Sequence, residues 1–340
     1  LPASTKQTEE NMRITQSTSC SLLILTAALS VSSAHAAEKT KVALVLPAEI
    51  NDLSWNQRAY EAAKKLSDEG KIEFAYSEAV KPDATTLDPI IAGYAQQGYR
   101  LIVTHSFTYG KSVARMNGQF ADVNFAWPGG IGKTAENLAD YDQPFYQGYY
   151  LAGVLAGGMT ESGVIGAVTG FDIPVCHASM AAFEAGARSV KPDVKVLSTV
   201  TGNFVDVAKA KQAALALADQ GADYFMSCGQ GVTLGTIEAA KERNLGATSY
   251  VGDMSSLAPK NVFASVVWNL DVLLDRMVAD IGANSFRPGK AYSFGVPEGG
   301  ISVIVHPDFH RRPSAETTAA FDKALVDIKS GTLKVAFVPK

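Results

Sequence analysis

Runs of continuous Val, Ile and Leu alternate with helix-periodic segments along almost the whole chain, in two successive sets. A strand that is apolar at every position has no face left for water, so it belongs in a parallel sheet covered on both sides by helices. The first set predicts a strand at 42–46, a helix at 54–70, a strand at 73–77, a helix at 85–97 and strands at 101–104 and 123–127. A long Gly- and Ala-rich helix follows at 145–159. The second set predicts strands at 164–168, 194–200, 224–228 and 249–251, with helices at 178–190, 207–220 and 233–243. An extended segment at 262–267 leads to a helix at 270–281, a last strand at 301–305 and a helix near 315–328. Two such sets mean two α/β lobes. The helix after Val267 most simply returns to the first lobe and the last strand to the second. Crossings at one edge make a hinge with a cleft beside it. The expected division is 37–158 with 268–290 for the first lobe, and 159–267 with 291–340 for the second.

The chain has 340 residues, a net charge of −4 and 47% hydrophobic residues, ample for two ordinary domains. No basic excess points to nucleic acid or an anionic membrane as partner. Residues 1–36 read as a processing segment. A polar upstream stretch precedes Met12 and Arg13, an apolar run spans 22–29, and Ala34-His35-Ala36 is a small-x-small cleavage site. The mature protein is therefore expected to start near Ala37, outside the cytoplasm. Cys20 falls before the apolar run and leaves with the leader. Cys176 and Cys228 remain. They could pair in an oxidising compartment, but the favoured reading is two separate small buried residues.

Several motifs carry less than they promise. Trp127-Pro128-Gly129-Gly130-Ile131-Gly132-Lys133-Thr134 resembles a phosphate loop, but Trp127 stands where the first glycine is needed. Gly229-Gln230-Gly231 follows a strand and opens a helix, so Gly231 is expected to let the backbone approach a cleft ligand. His306 and His310 are spaced i, i+4, yet Pro307 between them argues for a surface loop over a metal site. No metal or cofactor is expected. There is no Gly-x-Ser-x-Gly elbow and no His-Glu-x-x-His, which lowers the case for an enzyme.

The stretch Asn51-Asp52-Leu53-Ser54-Trp55-Asn56-Gln57 is more informative. It leaves the first strand and opens the first helix, where ligands bind in open α/β sheets. Trp55, Phe204 and Trp268 each lie where an element meets the cleft, accompanied by Asn56, Asn203 and Asp253. Ordinary core packing is the alternative for any one of these rings. Two rings with an amide and a carboxylate suit a planar heterocycle. Stacking on an aromatic ring contributes about 1–3 kcal/mol per face, by analogy with base stacking. An Asn amide matches the N6/N7 edge of adenine. His105, at the end of a first-lobe strand, either faces the cleft or is a packed or capping histidine.

Several stretches together resemble the basic membrane protein family of periplasmic substrate-binding proteins. They are Asp52-Leu53-Ser54-Trp55-Asn56-Gln57, Gly170-Phe171-Asp172-Ile173-Pro174-Val175, Gly202-Asn203-Phe204 with Asp206 and Lys209, Gly229 to Gly235, Gly252-Asp253, and Leu257-Ala258-Pro259. The resemblance implies a two-lobed type I binding-protein fold, and a purine clamped between Trp55 and Phe204 with Asn56 reading its edge. It also implies delivery of that ligand to an ABC permease and its ATPase, by a protein expected to be a monomer. Two positions depart from the family's nucleoside receptors. Trp268 stands where they carry a ribose-holding lysine after Ser265-Val266-Val267. The segment from His105 through Phe107 to Gly110 replaces their aspartate. The candidate ligand set is therefore Ser54, Trp55, Asn56, His105, Phe107, Phe204, Gly231, Asp253 and Trp268. The expected cargo is a free nucleobase such as adenine. A nucleoside receptor and an exported nucleoside hydrolase are the alternatives.

Overall fold

The computed structural model describes residues 39–340. The expected leader, its cleavage site and Cys20 lie outside the described residues. Two six-stranded sheets organise the chain. The first holds β1 (Thr40–Val45), β2 (Ile72–Ser77), β3 (Leu101–Thr104), β4 (Asn124–Trp127), β5 (Leu138–Tyr141) and β11 (Ala291–Tyr292), in the order β11-β5-β4-β3-β1-β2. The second holds β6 (Val164–Thr169), β7 (Lys195–Val200), β8 (Tyr224–Cys228), β9 (Gly246–Val251), β10 (Val262–Trp268) and β12 (Ile301–Val305), in the order β12-β10-β9-β8-β6-β7. Every pairing is parallel except β10 with β12. The central strands β3, β4, β8 and β10 are buried at every residue, Thr104, Asn124, Ser227 and Ser265 included, as strands of a sheet covered on both faces must be.

The helices are α1 (Trp55–Asp68), α2 (Ala84–Gln96), α3 (Gly110–Gln119), α4 (Phe145–Met159), α5 (Pro174–Val190), α6 (Val207–Ala218), α7 (Gln230–Arg243), α8 (Leu270–Gly282) and α9 (Ala315–Ser330). Their starts are written locally. Asp83, Asp206 and Ser314 each accept a backbone N–H three residues on, and Pro174 sits in the first turn of α5. Among the described residues no helix is long and apolar enough to cross a membrane.

Three expectations need correction. Helix α4, assigned to the first lobe, packs on α5 and α9 and lies over β10 and β12 of the second sheet. Its glycines decide this. A Cβ on Gly153 would run into the Phe183 carbonyl, and one on Gly186 of α5 into that of Tyr150, so the two backbones touch. The return to the first sheet runs past residue 290, because β11 pairs with β5 through Ala291↔Asp140 and Tyr292↔Tyr141. Cys176 and Cys228 are bonded to each other, with Cα atoms 5.6 Å apart. The first turn of α5 brings Cys176 over the last residue of β8.

Candidate functional site

The loop between β1 and α1 is built around one carboxylate. Asp52 Oδ1 accepts the N–H groups of Ser54 and Gln57, and Oδ2 accepts that of Asn56, each at 3.0 Å. The side chain thus satisfies the free donors of the helix start and favours its positive end. Asn56 Nδ2 donates to the same Oδ2 at 2.8 Å, and Gln57 Oε1 accepts from Leu53 N at 3.0 Å. The amide of Asn56 is buried and turned into its own lobe.

That loop presses on the second lobe. Ser54 Oγ donates to the Tyr250 carbonyl at 3.1 Å, and Gln230 Nε2 donates to the Asp52 carbonyl at 3.1 Å. Leu53 packs against the core beneath α6 and α7. Gly252 lies so close that a Cβ there would meet the Leu53 carbonyl oxygen. The lobes are closed on each other along this seam.

Behind the seam lies an aromatic cluster. Trp55 stacks on His105 with ring centres 4.5 Å apart and planes at 25°. Trp268 tilts against Trp55 at 5.1 Å and meets Phe145 edge-on at 5.3 Å. His105 also stacks on Tyr141, 6.1 Å away. Trp55 is half-buried, whereas Trp268 and His105 are each 1% exposed, so only Trp55 keeps a surface that an incoming molecule can touch. Burial pushes the His105 imidazole down to about 4 from its ordinary 6.5, against smaller upward pulls from the Trp55 backbone and Asp52. The free space beside His105 and Tyr141, walled by Leu44, Val103 and Met277, is only about 20 Å³. That is room for one water at most.

The remaining candidates sit apart from this cluster. Phe204 meets Phe171 edge-on at 4.8 Å, and Gly170 is free of a Cβ that would strike the Phe204 ring. Gly231 donates its N–H to the Phe204 carbonyl at 2.9 Å, and the close approach its lack of a side chain permits is to the Val205 backbone. Phe107 is 61% exposed and stacks on Trp127 at 5.5 Å. Asp253 Oδ1 accepts from Ser255 N at 2.9 Å and Ser265 Oγ at 3.0 Å. Burial works against that carboxylate, but these bonds and nearby His306 outweigh it and hold its pKa below the usual range.

Two further arrangements bear on chemistry. Ser265 Oγ lies 2.7 Å from His306 Nε2, with Asp253 Oδ1 3.4 Å from the same nitrogen. A nucleophilic triad needs the carboxylate on the other ring nitrogen and a hydroxyl open to substrate; Ser265 is fully buried. His310 Nδ1 instead meets the Lys260 carbonyl, so the two histidines of the i, i+4 pair serve different neighbours. The glycine-rich loop after β4 holds an anion of its own. The N–H groups of Gly130, Ile131 and Lys133 donate to Asp140 at 2.7, 3.0 and 2.9 Å. Tyr141, Phe145 and Tyr250 escaped the sequence reading. Tyr141 belongs to β5, a four-residue strand that carries no apolar run.

The family of PnrA-like ABC transporter substrate-binding proteins matches residues 39–330. A purine-binding protein from Brucella abortus is 32% identical over 309 residues, covering 89% of this chain and 86% of the relative. A nucleoside-binding protein of an ABC transporter from Lactococcus lactis is 25% identical over 315 residues, covering 87% and 88%. A solved solute-binding protein of an ABC transporter system from Conexibacter woesei superposes with a TM-score of 0.73 at 23% identity, covering 87% of this chain and 98% of that one.

Proposed function

This chain belongs to the PnrA-like (Bmp) family of ABC transporter substrate-binding proteins, and from that premise we propose that it carries a purine, as the free nucleobase, to an importer's permease and ATPase. The ligand is held between the half-buried Trp55 of the first lobe and Phe204 of the second, with the exposed Asp253 at its edge; Asn56, expected to read the base edge, is instead spent on Asp52, and Ser54 on the seam. Closure follows because the ligand touches both lobes only when they meet. The compartment is extracytoplasmic, in keeping with the Cys176–Cys228 bond.

The observation that carries the nucleobase reading is Trp268. Where the family's nucleoside receptors place a lysine, this chain places an indole that is 1% exposed and locked among Trp55, His105, Tyr141 and Phe145. It offers a sugar neither a cationic donor nor room. The Brucella relative supports a purine. The Lactococcus relative favours the nucleoside reading. Calorimetric titration with adenine and adenosine decides between them. Adenine is expected to bind more tightly. Tighter adenosine binding overturns the nucleobase reading, and no heat with either overturns the purine reading as a whole.

A further inference from the structure

Trp55 and His105 clasp each other in both directions. The indole Nε1–H donates to the His105 carbonyl at 2.8 Å, and His105 Nε2 lies 3.1 Å from the Trp55 carbonyl. A carbonyl oxygen only accepts, so Nε2 carries the proton. In a neutral imidazole the other nitrogen is then an acceptor. His105 Nδ1 faces the Tyr141 hydroxyl at 2.7 Å, which makes Tyr141 the donor. Both ring nitrogens are consumed, so His105 has no hydrogen bond left for a ligand. Its contribution to the cleft is the place it gives Trp55.

We propose that Tyr141 is a positioning residue for the ligand-stacking ring of Trp55: its hydroxyl fixes His105 in the Nε2–H tautomer, and that tautomer holds the Trp55 backbone while the stacked imidazole sets the indole plane. The chain of contact runs from β5 through the end of β3 to the first residue of α1, three elements that share no local sequence. Without the Tyr141 donor, the two tautomers of His105 come closer in energy. In the Nδ1–H form, the Nε2 lone pair faces the Trp55 carbonyl and repels it, so the indole leaves its plane. The inference rests on Trp55 being a ring that meets the purine.

The test uses the full chain labelled with ¹⁵N-histidine, with adenine as probe. Nitrogen NMR of the ligand-free protein is expected to show His105 protonated at Nε2 and bare at Nδ1, and a mixture of forms in Tyr141→Phe. Calorimetry is expected to show adenine bound about tenfold more weakly by Tyr141→Phe, the scale of one lost buried hydrogen bond. His105→Leu is expected to lose at least as much, and adding Tyr141→Phe to it to lose nothing more, because Tyr141 acts only through the imidazole. An Nδ1–H tautomer in the unaltered protein overturns the proposal, as does a Tyr141→Phe loss of equal size in the His105→Leu background. If Tyr141→Phe does not fold, the tautomer of the unaltered protein still decides. Failure of the unaltered protein to bind adenine sinks the nucleobase reading instead, and leaves the tautomer result standing.

Discussion

His105 is a residue whose chemistry departs far from its ordinary behaviour. Burial holds its folded-state pKa near 4, below the 6.5 of an open chain. The unfolded chain therefore takes up a proton first as pH falls. The neutral imidazole contributes fully above about pH 6.5, and that contribution is lost as pH drops toward 4. The difference of about 2.5 pH units corresponds to about 3 kcal/mol. Denaturant titrations at pH 7, 5.5 and 4 are expected to show stability falling less steeply in His105→Gln than in the unaltered protein by about that amount. Equal falls in the two proteins contradict the assignment. The motif around Trp55 was legible in the sequence as the opening of a helix beside a cleft. The inward turn of the Asn56 amide was not, because the Asp52 carboxylate has lone pairs enough to bind the amide as well as three backbone N–H groups.

At the scale of elements, local periodicity revealed most strands and helices, because each apolar run had to be covered. It could not say which sheet a helix covers. Helix α4 reads the same on either lobe, and only the touching backbones at Gly153 and Gly186 place it on α5. Replacing Gly153 by Ala is expected to lower stability by about 1–3 kcal/mol through forced separation of the pair, measured as a lower denaturation midpoint. An unchanged midpoint contradicts that packing. The Cys176–Cys228 bond was equally hidden, since pairing depends on α5 lying over the end of β8. It closes a loop of 52 residues, worth about 2–4 kcal/mol. Denaturant curves of the Cys176→Ala, Cys228→Ala double variant are expected to show that loss. Stability insensitive to the double substitution speaks against the bond.

Across the whole molecule, the seam between lobes is made by the protein itself. Leu53 at φ 56 and Val251 at φ 67 are non-glycine residues in the left-handed region, one on each side of it. Such conformations cost about 1–3 kcal/mol each and persist where surrounding contacts over-determine them. Here those contacts are Ser54 on Tyr250, Gln230 on Asp52, and Gly252 against Leu53. Gly252→Ala puts a methyl group into the seam. It is expected to weaken adenine binding by about tenfold, the size of a modest bias against the closed form. With saturating adenine, scattering from that variant is expected to give a larger radius of gyration than the unaltered protein. An unchanged radius and affinity contradict closure along this line. The most direct test of the purine-carrier account is a crystal structure of the protein grown with adenine. The account predicts the base lying flat between Trp55 and Phe204 with Trp268 still buried behind it. Adenine bound elsewhere, or touching neither ring, contradicts it.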